Sequence, residues 1–419
     1  MISEKIPTSV DKFKAISSDN ISVQESDDPG DRIVTLNMGP SHPATHGVLR
    51  LVLSIDGEVI TEVVPHIGYL HTGMEKLGEY MSYHQFIPIT DRMDYLAPML
   101  MNLGYILGVE KLLGITDEIP ARAQWLRVLY SELMRISSHL IWLGTSAIDL
   151  GAMSPIFYAL QDREQIMNIF EETCGARLTS TYFRIGGLRE DIPDTVIPMI
   201  EKFLKDFAIR LDEYQNLVTG NPILINRLKG IGCLSKETAL SYCCSGPVLR
   251  ASGVNYDVRK ARPYSGYEKF KFNIPVYQEG DSYARFLVRM DEMRESATIV
   301  RQAIDAIPAG PVKIDRTDII LPDKHRTQGN MEELINHFIL SCRGFNAPVG
   351  EVFSTIESSK GEFGVYLVST GGEKPYRLRV HSPSFLNLSV LPAISRGSLI
   401  ADIVAIIGSL DIVLGEIDR

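Results

Sequence analysis

The sequence predicts an α+β fold, with a mainly helical core flanked by small antiparallel sheets from the N- and C-terminal parts of the chain. Runs rich in β-branched residues, separated by turn residues, occur near both ends. Between them, apolar residues recur at spacings of three and four, which is typical of helices. Because strands and helices are segregated along the chain, an α+β class fits better than an alternating α/β one.

The N-terminal sheet is predicted over residues 32–72. Its β-rich runs are 32–38, 48–57 and 58–65. Asp56-Gly57 separates the last two runs and is a hairpin signal. Residues 1–31 are polar and lack the cationic start and apolar middle of a secretory signal, so we expect an exposed N-terminal arm there.

The helical core is predicted over residues 73–345. Its clearest helical patterns cover 121–150, 152–174, 196–218 and 282–307. The apolar stretch 95–113 contains Pro98, Glu110 and Lys111, and these residues are poorly suited to hydrocarbon. We therefore expect a buried helix at this position, and any membrane association should be peripheral.

The loop 246–280 within this core is rich in Gly, Pro and Tyr and has no clear period. It is too long for a plain connector, so we expect an ordered functional or interface loop, most simply a docking surface built from Tyr and Arg. The C-terminal part, 346–419, is predicted to hold strands, then an apolar helix over 399–410 and a polar tail over 411–419. Residues 32–419 are expected to form a single domain.

Composition excludes several classes of function. The formal net charge is −10, which argues against nucleic acid as the main partner. The five cysteines include no Cys-x-x-Cys pair, so neither a disulfide framework nor a thiolate metal site is supported. The adjacent Cys243 and Cys244 are best interpreted as two thiols in a reducing compartment, although a strained redox disulfide is the alternative.

Two of the nine histidines, His42 and His46, lie in the stretch NMGPSHPATHG. Pro43 and the flanking glycines disfavour a helix, and no nearby acidic residue supplies a third metal ligand, so a zinc site is not favoured. Either the histidines bond to the backbone of a rigid turn, or the turn holds an imidazole next to a ligand.

Two further stretches carry candidate chemistry, each with a plainer interpretation. DRMDYL, residues 91–96, places Asp91, Asp94 and Tyr95 before an apolar helix, where acidic residues also favour the helix dipole. Asp149 falls at the end of a strongly apolar helix, where a carboxylate needs a partner. It could equally cap the helix that follows.

Ten motifs, in order from about Arg32 to Arg419, resemble the quinone-site subunit family of respiratory complex I, the D subunits of NADH-quinone oxidoreductases. They include NMGPSHPATHGVLR, PHIGYLHTGMEK, DRMDYL, IDLGAMSP, FRIGG, RASGVNYDVRKARPYSGYE, HSPSFLNL and VAIIGSLDIVLGEIDR. The resemblance implies a fold like that of the nickel-iron hydrogenase large subunit. Hydrogenases hold their metals with cysteines near both chain ends, whereas the matching stretches here, DRMDYL and SLDIVLGEIDR, contain none. Hydrogenase activity is therefore not expected, since that site needs thiolates.

The resemblance also assigns roles to individual residues. His46 and Tyr95 match the residues that approach the two quinone carbonyls, and Asp149 matches the aspartate that pairs with the histidine. The implied activity is NADH:quinone reduction coupled to proton transport, with quinone as substrate and no cofactor or metal bound by this chain. NADH, FMN and the iron-sulfur clusters are expected on partner subunits.

The same resemblance implies the setting of the chain. Expected partners are the B subunit with the terminal four-iron four-sulfur cluster, the C and I subunits and the membrane-embedded H subunit, with no nucleic acid. We expect a peripheral protein on the cytoplasmic side of the cell (inner) membrane. The alternatives are the equivalent subunit of a related membrane complex fed by ferredoxin or another donor, and a non-catalytic assembly scaffold.

Two positions depart from the family pattern. Thr72 stands where many relatives have arginine, and Thr179 stands where many have the histidine that bonds the terminal cluster. Loss of these neighbours should make the cluster harder to reduce, which favours a quinone of lower potential such as a menaquinone.

Overall fold

The computed structural model describes residues 21–25, 32–41 and 47–419. Within these ranges, three separate antiparallel sheets contain nine strands. The strands are β1 Ile21–Glu25, β2 Arg32–Met38, β3 Arg50–Asp56, β4 Val59–His66, β5 Phe183–Arg184, β6 Gly187–Leu188, β7 Gly350–Glu357, β8 Glu362–Ser369 and β9 Arg377–His381. The sheet orders are β1-β2-β3-β4, β5-β6 and β7-β8-β9.

Helices make up most of the remaining described chain. They are α1 Met74–Tyr80, α2 Tyr83–Thr90, α3 Pro98–Leu113, α4 Ala121–Asp149, α5 Ser154–Cys174, α6 Val196–Tyr214, α7 Pro222–Leu228, α8 Lys236–Ser241, α9 Gly246–Ala251, α10 Val258–Ala261, α11 Ser282–Asp305, α12 Lys324–Gly329, α13 Met331–Cys342, α14 Pro383–Ser389, α15 Leu391–Ser395, α16 Ile400–Leu410 and α17 Leu414–Asp418. A π-helical turn, Gln215–Thr219, continues α6.

The N-terminal sheet is built around β3, whose alternate residues Leu51, Leu53 and Ile55 are buried. This alternation gives the strand one face toward the core, as its sequence pattern predicts. The predicted hairpin is confirmed, since Asp56 pairs with Val59 across the turn. The expectation of a plain arm over 1–31 is wrong for residues 21–25, which pair with β2 as strand β1.

The centre of the molecule is α4, which is 29 residues long and buried on nearly every side. Its buried residues include the charged Arg127, Glu132 and Arg135 as well as the apolar stripe that the sequence predicts. Here α5, α11, α3 and α16 surround it. The sequence pattern predicted α4 and α11 to within two residues at each end.

The C-terminal sheet packs on α3 through glycine. A Cβ atom on Gly104 would lie 2.7 Å from Cδ1 of Phe363, so the ring of this β8 residue rests directly on the helix backbone. On the next turn, Gly108 faces Leu367 in the same way. The prediction of a buried helix here is confirmed, because most of α3 has no exposed surface.

Two expectations are wrong in the second half of the chain. The predicted polar tail over 411–419 is buried, and it contains α17, with Glu416 fully enclosed. The loop 246–280 contains α9 and α10, and its Arg250 and Arg259 lie in the interior instead of forming a docking surface. In both places charged residues are buried against opposite charges, which hydropathy alone does not predict.

Among the described residues, no helix combines the length and the apolar character that a membrane crossing requires.

Candidate functional site

The DRMDYL stretch forms the turn between α2 and α3. α2 begins with a capping box made by Ser82 and Gln85, and α3 begins at Pro98, whose ring suits a first helical position. No side chain caps the N-terminus of α3. The carboxylates of the turn therefore make their hydrogen bonds and ion pairs elsewhere.

Asp91 ties this turn to its surroundings. Its carboxylate accepts hydrogen bonds from Nδ2 of Asn102 in α3, at 2.6 Å, and from Oγ1 of Thr181, at 2.8 Å. Burial raises the pKa of Asp91, while the Thr181 and Asn102 hydrogen bonds act in the opposite direction. These bonds fix the turn against the helical core and so fix the residues that follow.

Tyr95 and Arg92 are the exposed members of the turn, and Tyr95 has 37% of its surface exposed. Burial, followed by the nearby charge of Asp94, raises the pKa of the phenol above its ordinary value of 10. The hydroxyl therefore keeps its proton at neutral pH and can donate a hydrogen bond or a proton to a ligand.

Behind Tyr95, Lys360 joins the DRMDYL turn to the C-terminal segment 411–419. The Lys360 ammonium lies 3.6 Å from the Asp94 carboxylate and 3.7 Å from that of Asp411, and all three side chains are buried. It also donates to the hydroxyls of Ser138, at 2.6 Å, and Ser359, at 3.3 Å. Asp94 and Asp411 belong to the two stretches that the resemblance matched to the metal-binding cysteines of hydrogenases, so a lysine ammonium joins these stretches here.

The charges of this group are strongly coupled. Burial opposes the charged form of Lys360, but Asp411, Asp94 and Glu416 together raise the pKa of the ammonium. Burial and the neighbouring Asp94 carboxylate raise the pKa of Glu416 to about 8. Lys360 is thus a cation at neutral pH, whereas Glu416 holds a proton.

A wider ionic network continues from this group into the core. Arg289 lies over the ring of Trp142 and 3.8 Å from Asp411. One helical turn along α11, Glu292 pairs with Arg250 and accepts a hydrogen bond at 2.9 Å from His139. Burial lowers the pKa of His139, so its imidazole is neutral near pH 7 and bonds to Glu292 without an ion pair.

The three predicted site residues are found in different settings. His46, like His42, lies outside the described residues. Asp149 is the last residue of α4 and is partly buried, where it lines a narrow apolar cavity with Trp142 and Phe286. Tyr95 is not among the residues that line this cavity. The residue at the N-terminus of α5, Met153, provides no side-chain cap.

The central part of this site is not apparent from the sequence. Lys360 lies in the stretch predicted to hold strands and has no predicted role, and Asp411 and Glu416 lie in the predicted polar tail. The one available signal was the acidic pair Asp411 and Glu416, which follows an apolar helix in the stretch SLDIVLGEIDR. Such a pair indicates burial only when a cation is known to face it. Here the cation is Lys360, about 50 positions earlier in the chain.

Comparisons with known proteins decide the family. Residues 149–419 match the 49 Kd subunit of respiratory-chain NADH dehydrogenase. The chain is 53% identical over 389 residues to a D subunit of NADH-quinone oxidoreductase from Koribacter versatilis, with 93% of this chain and 96% of that protein covered. It is 52% identical to the D subunit of Geobacter sulfurreducens, with 92% and 99% covered, and 52% identical to that of Methylacidiphilum infernorum, with 93% of each covered. The chain belongs to the 49-kDa subunit family.

Membership of the 49-kDa family confirms the resemblance that the motifs carried. The α+β fold class is confirmed as well, and the 49-kDa domain is related to the hydrogenase large subunit. Proteins of this family are subunits of an oxidoreductase complex, so the exposed face of Tyr95 and the buried charges behind it belong to one component of a larger assembly.

Proposed function

We propose that this chain is the quinone-site subunit of a proton-translocating NADH:quinone oxidoreductase. The names of the relatives support the activity, because proteins more than 50% identical over nearly their whole length are named as D subunits of NADH-quinone oxidoreductase. The observation that carries the proposal in this chain is Tyr95, a partly exposed phenol that stays protonated in front of a buried charged group.

In this proposal, Tyr95 and His46 donate hydrogen bonds to the two quinone oxygens, and Asp149 orients and charges the imidazole. Reduction of a quinone inside protein creates negative charge that is costly at low dielectric unless protons arrive with the electrons. An iron-sulfur cluster on the neighbouring B subunit supplies those electrons. The subsequent rearrangement of Asp149, once its cationic partner has been neutralised, would signal to the membrane subunits.

We propose the same assembly that the sequence implied. NADH and FMN are bound by other subunits, the B, C, I and membrane-embedded H subunits surround this chain, and the chain lies peripherally on the cytoplasmic side of the cell (inner) membrane. An equivalent subunit fed by ferredoxin is the alternative, and purification of the complex distinguishes the two. Co-purifying flavin and NADH-binding subunits support the proposal, whereas their absence from an active complex contradicts it.

The variants Tyr95→Phe and His46→Ala test the site in the assembled complex. Removal of the phenol hydroxyl should raise the KM for quinone and, because the phenol also supplies a proton, lower kcat. Loss of the imidazole should lower kcat on the order of 100-fold, the usual scale for a general acid. Assembly should be intact, as judged by the amount of complex on a native gel. Tyr376→Phe is the matched control, because this tyrosine is 68% exposed, far along the sequence, in the segment before β9. Normal turnover by both site variants would contradict the assigned roles and favour a non-catalytic scaffold.

The class of quinone is proposed from Thr72 and Thr179, which replace cationic or hydrogen-bonding residues of many relatives. A menaquinone suits a cluster that is harder to reduce. Extraction of the quinones from the source membrane tests this, and a pool of pure ubiquinone would contradict it.

A further inference from the structure

Three buried carboxyl groups from distant parts of the chain lie behind Tyr95. Asp94 belongs to the turn before α3, Asp411 follows α16, and Glu416 lies in α17. Each has 5% or less of its surface exposed. One oxygen of each, Oδ2 of the two aspartates and Oε2 of the glutamate, accepts no hydrogen bond from any residue in the described part of the chain. A buried carboxylate oxygen without a donor is costly, and protonation of one member of the group reduces that cost.

The charges around this group are also unequal. Two cations face the three carboxyls, namely Lys360, which contacts Asp94 and Asp411, and Arg289, which lies 3.8 Å from Asp411. With all carboxyls ionised, the group would hold one more negative charge than positive charge. In a buried site this excess is relieved by retention of one proton, which coupled carboxyls share.

Packing holds Glu416 close to the turn that carries Tyr95. A Cβ atom on the preceding Gly415 would lie 2.6 Å from the backbone oxygens of both Arg92 and Met93, so α17 rests directly on the backbone of this turn. The inner oxygen of Glu416 accepts a hydrogen bond from the Ser384 amide at 3.1 Å. This leaves the other oxygen of Glu416, Oε2, to interact with the rest of the group.

Other titratable groups on the elements packed around α17 have partners of their own. Arg419 pairs with Glu75 of α1, at 3.5 Å. The Asp418 carboxylate accepts two backbone amides of the segment after β4, and His71 contacts the Asp418 carbonyl oxygen at 2.6 Å. The largest charge effects on the Glu416 carboxyl are those of Asp94 and Lys360, and the Arg419 guanidinium also interacts with it.

We propose that Glu416, acting through Asp94, is an internal proton store that reprotonates Tyr95 after the tyrosine has given its proton to the quinone. This role rests on the proposed function. Two electrons arrive one at a time through the cluster of the neighbouring subunit. Tyr95 breaks its O–H bond as a new O–H bond forms on one quinone oxygen, and His46 gives the second proton to the other oxygen. The Glu416 proton then passes by way of Asp94 to the phenolate, and the resulting Glu416 carboxylate is later reprotonated from solvent.

Lys360 supports this transfer without being its source. Its pKa is raised, so the ammonium keeps its proton and stabilises the carboxylate that transfer leaves behind. Burial raises the pKa of Asp94 as well, which makes that carboxyl a suitable intermediate proton carrier between Glu416 and the adjacent Tyr95.

The variant Glu416→Gln in the intact complex tests the store. The amide oxygen can still accept the Ser384 hydrogen bond, but the side chain can no longer release a proton. We expect kcat for quinone reduction to fall about tenfold, less than the roughly 100-fold or more typical of a group that acts on the substrate directly, with KM unchanged. The wild-type rate should decline above pH 8, and this alkaline decline should be absent from the variant. Asp162→Asn is the matched control, because Asp162 is also buried with a raised pKa but bonds to Tyr214 in the α5–α6 layer.

A spectroscopic measurement tests protonation independently of turnover. The infrared carbonyl band of a buried protonated carboxyl should be present in the wild-type complex at pH 7, should titrate near pH 8 and should be absent from Glu416→Gln. If Glu416→Gln does not assemble, Asp94→Asn takes its place and should show the same loss of kcat.

If the Glu416→Gln complex showed the kcat and pH dependence of the wild-type complex, the proton-store role of Glu416 would be overturned and the proposed function would stand. Normal turnover of Tyr95→Phe and His46→Ala would instead refute the proposed function.

Discussion

Glu110 and Arg127 are the best isolated example of a buried ion pair in this molecule. Both side chains are at most 1% exposed, and they form two hydrogen bonds of 2.6 and 2.9 Å between α3 and α4. The carboxylate also accepts the Gly186 amide at 2.8 Å. The pair therefore fixes α3, the helix that begins directly after the DRMDYL turn, against the central helix.

Substitution of Glu110 by Gln should destabilise the protein strongly. It leaves the Arg127 guanidinium buried without its anion, which costs about 3–5 kcal/mol in comparable sites. Urea unfolding measures the effect, and the unfolding midpoint of the variant should be lower than that of the wild-type protein. Asp191→Asn is the control, since it disrupts a partly exposed pair with Arg122 and should cost less than about 1 kcal/mol. Equal effects of the two substitutions would show that burial does not set the strength of these pairs.

At the scale of elements, contacts between helix and sheet depend on glycine. α3 approaches β8 so closely that the Gly104 position has no room for a methyl group beside Phe363. The end of α2 at Thr90 and the proline at the start of α3 then set the length of the turn that presents Tyr95. Backbone contacts of this kind position the site more rigidly than a long loop could.

The variant Gly104→Ala should disturb this contact. The added Cβ would lie 2.7 and 2.8 Å from ring atoms of Phe363, and such overpacking typically costs about 1–3 kcal/mol. Gly329→Ala at the end of α12 is the control, because nothing lies within 4 Å of its added methyl group. Thermal unfolding should show a lower midpoint for the first variant and an equal or higher one for the second. A neutral effect of Gly104→Ala would mean that the sheet can shift away from α3.

At the scale of the whole molecule, buried ionic groups link the two halves of the chain. Glu132 of α4 pairs with Arg135 in the same helix and with Arg259 in α10, and Glu357 at the end of β7 pairs with Arg250 in α9. The contacts between different elements join residues more than 100 positions apart. The core is therefore held by ionic networks as well as by apolar packing.

These networks predict how stability depends on pH in acid. Although burial opposes ionisation of Glu132, the guanidinium groups of Arg135 and Arg259 lower its pKa to about 2, from 4.5. Because the pKa is lower in the folded state, its contribution is fully present above pH 4.5 and is lost as pH falls toward 2. The midpoint of thermal unfolding should decrease over this window, and the slope should be smaller in Glu132→Gln. A flat profile would contradict the assigned ion pairs.

The pH dependence of the Glu416 contribution has the opposite sign. Its pKa is raised on folding to about 8, so its contribution to stability is greatest below pH 4.5 and decreases as pH rises from there to 8. The thermal midpoint of Glu416→Gln should therefore fall less over this window than that of the wild-type protein, and an unchanged slope would contradict the protonated state of Glu416.

By itself, the sequence determined the fold class, the long helices α4 and α11, the N-terminal hairpin and the family. These features depend on local periodicity, on turn residues and on motifs that are contiguous in the chain. Tyr95 was identified in the same way, through DRMDYL, and its role remains a prediction, as do those of His46 and Asp149.

Only the tertiary structure decided that Asp94, Lys360, Asp411 and Glu416 form one buried group. Whether a charged residue is exposed or enclosed depends on a partner that is remote in sequence, and hydropathy carries no information about that partner. For the same reason, the acidic C-terminal segment appeared to be a polar tail and the arginines of 246–280 appeared to form a surface. Long-range electrostatic pairing, which only the folded chain brings about, placed both inside the protein.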